Sequence, residues 1–367
     1  MTRALVIEAS GNLWGSERAL LDLLGAVSML EVAVCCPPQM PLNSELEKLH
    51  IRTLPYYVYG LHEKSKRHRL QAAAGVLRAC LEFRPDVIYL NQCGCYKVAL
   101  PAATLLDLPI VAHVRIFEDA AYLARQSPSP RRLRGIIAIS SAVETEIRQF
   151  QQLDSIQLHK IYDAYAVRAL QNLRSRERSI NRIACIGRLV PVKGQDVLVG
   201  ALSMMKDFQG KMECLFVGDG EESFAQELRQ MALAGNPAYS IQWLGFVGDV
   251  LSLLLTCSVL ICPSHSEPLG RVILEAWDAG AVPVAFSGSG GAAEIVAASE
   301  GGILYEQQTP GSLARALRVA LELDPEQRNR LVNNGRSWMS ENCNPKIYSE
   351  ALSTILVGAY GSPRHSL

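Results

Sequence analysis

Neither sign of charge is in excess in this chain: Lys and Arg number 36, and so do Asp and Glu. No bulk field therefore argues for nucleic acid as a partner. Long apolar runs are missing as well. The longest uncharged stretch, residues 250–266, is too short to span a bilayer and contains Pro263. The opening MTRALVIEASGN carries Glu8 inside its only apolar run, which predicts a strand, not a signal peptide, and a cytoplasmic location. Zinc-type C-x2-C pairs are absent, since Cys35-Cys36 and Cys93-x-Cys95 have the wrong spacing. The ten cysteines are scattered, several inside apolar strands as at Cys185, Cys214 and Cys262, so buried reduced thiols are expected. Neither a G-x-G-x-x-G dinucleotide motif nor a Walker P-loop occurs. The expectation is no bound metal and no cofactor.

What is present suits a globular chain with ample core. Hydrophobic residues make up 49% and charged residues 20% of 367, enough for two ordinary domains. The most informative stretch is residues 259–296, VLICPSHSEPLGRVILEAWDAGAVPVAFSGSGGAAEIV. Residues 259–262 form a short apolar run broken by Pro263-Ser264-His265-Ser266. From Gly270 the spacing of Val272, Ile273, Ala276 and Trp277 predicts a helix with one buried face, ending at Gly280. Residues 281–286 predict a second strand, 287–291 a glycine-rich turn, and Ala292 opens another helix. Strand, loop, helix, strand, loop, helix is the unit of a parallel sheet with ligands at its strand ends.

Glu267 and Glu275 bracket the first loop-helix junction with seven residues between them. Free N–H groups and the positive dipole end at a helix N-terminus suit a phosphate. The two carboxylates can accept hydrogen bonds from hydroxyls on either side of it. A nucleotide sugar has that layout, with sugar, diphosphate and ribose in line. Solvated surface acids are the plainer account of the same spacing.

EPLGRVILEA followed by AGAVPVA and SGG-AEIV resembles the donor site of the retaining glycosyltransferases of family 4. The resemblance implies the GT-B fold, two Rossmann-like doubly wound domains facing across a cleft. It implies that Glu267 meets the transferred sugar, that Glu275 holds the ribose, and that backbone amides from Leu269 and Gly270 through Arg271 and Val272 hold phosphate. Gly187-Arg188-Leu189 with Lys193-Gly194 resembles the family's G-R-L…K-G element. There Arg188 forks onto phosphate oxygens and Lys193 adds a point charge to the leaving diphosphate. Trp243-Leu244-Gly245-Phe246-Val247 resembles the segment whose backbone, at Gly245 and Phe246, reads the base. No D-x-D metal motif of the other major transferase fold is present, and the implied mechanism needs no metal.

The first half opens with a strand at residues 4–8, a loop at 9–16 and a helix through about Met29. Trp14-Gly15-Ser16-Glu17-Arg18 resembles the family's glycine-glycine loop between donor phosphate and acceptor. Trp14 stands where the first glycine would be, which leaves close approach to Gly15; Ser16 as an ordinary helix N-cap is an equal reading. Residues 31–36, 86–91, 110–113 and 136–139 predict further strands of a doubly wound sheet. His113 ends its strand in IVAHVRIFED, resembling the family histidine that contacts the donor sugar. Arg115 either binds acceptor or pairs with Glu118 or Asp119. Residues 138–142, AISSA, resemble the family strand that ends in serine before a helix. Asp163 and Ala164 stand where the family carries asparagine and glycine.

The expected domains are 1–170 on the acceptor side, 171–345 holding the nucleotide sugar, and a helix at 346–367 that in GT-B folds returns to the first domain. Residues 168–181, polar and charged, are the expected crossing. The resemblance implies a retaining transferase that takes a nucleotide sugar, UDP-glucose or a similar UDP-sugar first and GDP-mannose second, as co-substrate. Its acceptor would be a glycan or a lipid-linked hydroxyl. An epimerase or hydrolase on the same fold and a non-catalytic nucleotide-sugar binder are the rivals. Lys64, Lys66, Arg67 and Arg69, with Arg131, Arg132 and Arg134 as a second basic edge, predict peripheral contact with anionic lipid on the inner face of the plasma membrane. A solvated loop is the plainer account of that run.

Overall fold

Two parallel sheets organise the computed structural model, which describes residues 1–57, 66–168, 179–205, 208, 212–234 and 239–361. The chain divides into two compact units. One comprises Met1–Ala166 with Asn342–Leu367, the other Val167–Glu341. The sequence reading set the boundaries at 170 and 345. Tyr165 donates its N–H to the carbonyl of Cys343 at 2.8 Å, which ties both ends of the first unit together.

In the first unit the strands are β1 (Thr2–Ile7), β2 (Leu30–Cys36), β3 (Arg52–Pro55), β4 (Val87–Leu90), β5 (Ile110–Val114), β6 (Leu133–Ala138) and β7 (Gln157–Lys160). Their order is β3-β2-β1-β4-β5-β6-β7. Every neighbouring pair is parallel, with Leu5 facing Ala33 on one side and Ile88 on the other. Residues of β1, β4 and β5 are buried almost without a break, because helices cover both faces of a parallel sheet. The helix Pro345–Gly361 supplies Tyr348, Leu352 and Leu356 to the same core as Val6, Leu20, Val34 and Tyr89.

The second unit holds β8 (Ser179–Ile186), β9 (Met212–Val217), β10 (Tyr239–Trp243), β11 (Cys257–Cys262), β12 (Val282–Phe286) and β13 (Ile303–Tyr305). The order is β10-β9-β8-β11-β12-β13, again all parallel. Both sheets reverse direction once, between β1 and β4 in the first and between β8 and β11 in the second. An open α/β sheet forms its ligand crevice at such a point, beyond the carboxyl ends of the strands.

Local chemistry sets the element ends. The helix Arg271–Ala279 starts after Gly270 at φ +86° and stops at Gly280, whose N–H bonds back to Trp277. Ser140 caps the helix Ser141–Ile147 by accepting from the Val143 N–H. Two expectations are corrected. The first helix spans Gly15–Leu24 and does not reach Met29, and Ser16 lies inside it. Glu17 takes the Trp14 N–H at 3.1 Å, so Trp14 becomes the N-cap. Of the expected crossing, 169–178 lie outside the described residues, and β8 already starts at Ser179. Lys64 also lies outside them. All ten cysteines are free and buried. Among the described residues no helix is long and apolar enough to cross a membrane.

Candidate active site

Three loops meet above the junction of β8 and β11. The first, Gly187–Gly194, follows β8; the second, Pro263–Gly270, follows β11; the third, Ser287–Gly290, follows β12. Backbone contacts stitch them together. The His265 N–H donates to Val192 at 2.9 Å and the Glu267 N–H to Ser289 at 2.6 Å. Gly194 stands at φ +65° with the carbonyl of Pro263 only 2.0 Å from where a Cβ would lie. Any side chain there would push the β8 and β11 loops apart.

That packing brings Lys193 to Glu267. The Lys193 Nζ lies 2.6 Å from Glu267 Oε2, and Ser264 Oγ donates to the same oxygen at 3.2 Å. Burial pulls the Lys193 ammonium down, but the Glu267 carboxylate and its hydrogen bond outweigh this and hold it above its ordinary value. The sequence reading gave the two residues separate partners, phosphate for Lys193 and sugar for Glu267. They are 74 residues apart in sequence, and only the adjacency of β8 and β11 makes them a pair. Arg188 is exposed beside them, while Glu275, Arg271 and Val272 are half-buried on the first turns of the helix. Leu269 is 3% exposed, so its side chain packs inward and only its backbone borders the loop.

A recess of about 300 Å³ opens beside this site. Leu189, Asp219, Arg229, Trp243 and Gly245 contribute to its lining. Phe216 stacks on Trp243 with ring centroids 4.5 Å apart, and Gly245 at φ +62° accepts the Gly218 N–H at 2.8 Å. Phe246 is 60% exposed at the rim. The sequence shows Asp219 only as part of the glycine turn after β9, and it does not single out Arg229, which reaches the recess from the helix Glu222–Leu233.

In the first unit the residues at the ends of β1, β4 and β5 form a buried polar network. Glu8 accepts from the Ser10 N–H at 3.0 Å, from Gln92 Nε2 at 2.9 Å and from Asn91. Gln92 Nε2 also reaches Ser16 Oγ at 3.1 Å and Glu17 Oε1 at 3.3 Å. Burial, then the neighbouring Glu17, pushes the Glu8 carboxyl up from 4.5 to about 7. The Arg115 guanidinium donates to the carbonyl and side chain of Asn91, each at 2.7 Å, and pairs with Asp163. This corrects the expected partners Glu118 and Asp119. Asp119 takes only the Arg115 backbone N–H, at 3.4 Å. At 8% exposure, Arg115 braces the network and does not present a guanidinium to an acceptor.

His113 is fully buried. Its Nδ1 lies 2.8 Å from the Tyr89 hydroxyl and 3.3 Å from that of Tyr348. Nε2 has no hydrogen-bond partner among the described residues. Burial, and then Arg115, keeps the imidazole well below its usual range, so it is neutral. A ligand reaches Nε2 only if the groups now covering it move. Trp14 and Gly15 are exposed on the loop that follows β1.

Two doubly wound units, each with loops at its switch point, define the GT-B class of nucleotide-sugar proteins. The family described as "Glycosyl transferases group 1" matches residues 174–338, and "Glycosyltransferase Family 4" matches residues 15–165. This chain belongs to the family 4 type of glycosyltransferases. It is 32% identical over 183 residues to a GDP-mannose-dependent monoacylated alpha-(1-6)-phosphatidylinositol monomannoside mannosyltransferase of Corynebacterium glutamicum. That alignment covers 47% of this chain and 46% of the relative, so the match spans about half the relative's length. A glycogen synthase of Mycobacterium tuberculosis is 23% identical over 76% of this chain and 70% of its own. HepE of Anabaena, solved with UDP and glucose, shares the fold. Its TM-score is 0.80 at 22% identity, over 97% of this chain and 100% of the other.

Proposed function

We propose that this chain is a retaining hexosyltransferase, moving a sugar from UDP-glucose or a similar UDP-sugar onto a hydroxyl of a glycan or lipid-linked acceptor in polysaccharide or glycoconjugate biosynthesis. The Lys193–Glu267 pair at the switch point of the second sheet carries this reading. It places a cation, a carboxylate and the N-terminus of the helix Arg271–Ala279 around one crevice. The diphosphate takes the helix N-terminus at Gly270–Val272 and the cations Arg188 and Lys193, which serve without a metal. Glu267 receives sugar hydroxyls, Glu275 the ribose, and the recess beside Trp243 and Gly245 the base. The family resemblance assigns His113 Nε2, which has no hydrogen-bond partner among the described residues, to the donor sugar. In the reaction the bond from the anomeric carbon to the diphosphate oxygen breaks and one to the acceptor oxygen forms on the same face. The acceptor proton passes to a diphosphate oxygen.

Ion-pair exchange is part of donor binding. Lys193 leaves Glu267 for phosphate, and Glu267 turns to hydroxyls. Glu267→Ala is therefore expected to abolish most transfer while UDP binds as well as before or more tightly. Glu275→Ala is expected to weaken UDP itself by roughly tenfold or more, as for a lost charged hydrogen bond. Calorimetric titration with UDP reads both, and an equal loss in the two variants contradicts the assignment.

An assay of transfer and hydrolysis over UDP- and GDP-sugars tests the whole reading. GDP-mannose belongs in the panel because the Corynebacterium relative is named for it. Hydrolysis or epimerisation without transfer, or binding without turnover, would replace the transferase reading with one of its rivals.

The helix Lys66–Phe83 begins Lys66-Arg67-His68-Arg69, cations at the end where the helix dipole disfavours them. Contact with anionic lipid offsets that cost, each basic side chain contributing on the order of 1 kcal/mol. Co-sedimentation with phosphatidylserine vesicles is expected at low salt and lost at high salt. It is also expected to be lost when Lys66, Arg67 and Arg69 become Ser. Failure to pellet at low salt leaves a soluble acceptor.

A further inference from the structure

The loops after β1 and β4 border the crevice of the first sheet, and Trp14 crowns the former. Its side chain is 57% exposed, whereas Trp277 is fully buried. An indole left in water forgoes a large apolar contribution. The backbone beneath this one is pinned. The Trp14 N–H donates to Glu17 at 3.1 Å, its carbonyl accepts the Arg18 N–H at 3.1 Å, and Arg18 Nε donates to the Leu13 carbonyl at 3.0 Å. Upstream, the Asn12 N–H donates to Ser10 Oγ at 3.1 Å. Gln92 ties this loop to the end of β4 through Glu8, Ser16 and Glu17. The backbone that carries the ring is thus tied at both its N–H and its carbonyl.

The carboxylates nearest it are withdrawn from the surface, and the one cation of the turn, the half-buried Arg18, spends its Nε on the Leu13 carbonyl. Glu8 and Glu17 are 0% exposed and Arg115 is 8% exposed, and their charges are taken up among Ser10, Asn91, Gln92 and Asp163. Asn12 and Ser10 remain half-buried beside the indole in the chain. An exposed flat aromatic face matches the face of a sugar ring that carries axial C–H bonds. A flexible alkyl alcohol offers no such flat face.

Resting on the transferase reading above, we propose that the Trp14 indole is the stacking surface for a sugar ring of the acceptor, so that the acceptor is a glycoside or glycan. The test compares wild type with Trp14→Ala, Trp14→Leu and Trp14→Phe. The probes are octyl glucoside and octyl mannoside against octanol and glycerol, with the donor that the panel above selects. Trp14→Ala is expected to raise KM for the glycosides by roughly tenfold or more with the affinity for UDP unchanged. Phe, which keeps an aromatic face, restores most of the loss; Leu, apolar without one, does not. An unchanged glycoside KM in Trp14→Ala overturns the proposal. So does Leu performing as well as Phe, or octanol and glycerol serving as well as the glycosides. Calorimetry with UDP and GDP keeps the two levels apart, since a protein that binds neither fails as a transferase. In that case glycoside-induced fluorescence change, taken as wild type minus Trp14→Phe, still judges the platform, and no difference overturns it.

Discussion

Lys193→Met is expected to lower sugar transfer by roughly a hundredfold or more, the scale on which preorganised charge stabilisers act. Methionine keeps the length and apolar body of the side chain and removes only the ammonium. The effect belongs to the transition state, because charge gathers on the leaving diphosphate as the glycosidic bond breaks. Lys193 is already partly buried and held 2.6 Å from a carboxylate, so less reorganisation remains when phosphate takes that carboxylate's place. Arg188→Ala should lose transfer comparably, but the two variants should differ in stability. Arg188 is exposed, and its removal should leave the melting temperature near wild type. Lys193→Met leaves Glu267, with 13% side-chain exposure, only the Ser264 hydroxyl, a loss of roughly 1–3 kcal/mol. The measurement is kcat at saturating donor together with thermal melting. Near-normal turnover in both variants removes the diphosphate assignment.

How much of this was legible in the sequence depended on the range of the interaction. The run from β11 through the helix Arg271–Ala279 to β12 could be read because each signal is local: apolar strands, a helical stripe at Ile273, Ala276 and Trp277, and glycines at both helix ends. The start of the first helix was misread for a local reason too. Ser16 is a good cap residue, but Glu17 reached back to the Trp14 N–H and moved the start upstream. Long-range partners left no such trace. Asp163 as the mate of Arg115, Tyr89 and Tyr348 around His113, and Lys193 on Glu267 all follow from strand order and helix return. None of those is encoded in spacing. Resemblance implied a donor-sugar contact for His113, and Arg115 was open between an acceptor and a nearby carboxylate; both are buried. Only the packed structure shows that Arg115 braces a network.

That network should make stability fall as pH rises toward neutrality. Glu8 titrates in the folded chain at about 7 against an ordinary 4.5. A carboxyl raised in this way favours the folded state fully below the unfolded value. The advantage is lost as pH climbs through the folded value, because the unfolded chain releases its proton first. The window is pH 4.5 to 7 and the loss is about 3 kcal/mol across it. The groups facing Glu8 are Glu17 from the first helix, Arg115 beyond β5, Asn91 at the end of β4, and Cys36 and Cys95. After burial, Glu17 is the largest cause of the shift. Glu17→Gln keeps an oxygen for the Trp14 N–H and removes the charge, so it should flatten the decline. His113, neutral and buried, works the other way: its folded value is depressed, so it costs stability as pH falls below about 6.5. That contribution is common to both proteins and cancels in the comparison. Urea melts of wild type and Glu17→Gln at pH 5, 6, 7 and 8 read the difference directly. The variant should gain on wild type with each step up to 7 and hold a constant margin above it, and parallel profiles would show that Glu8 and Glu17 do not share a proton balance.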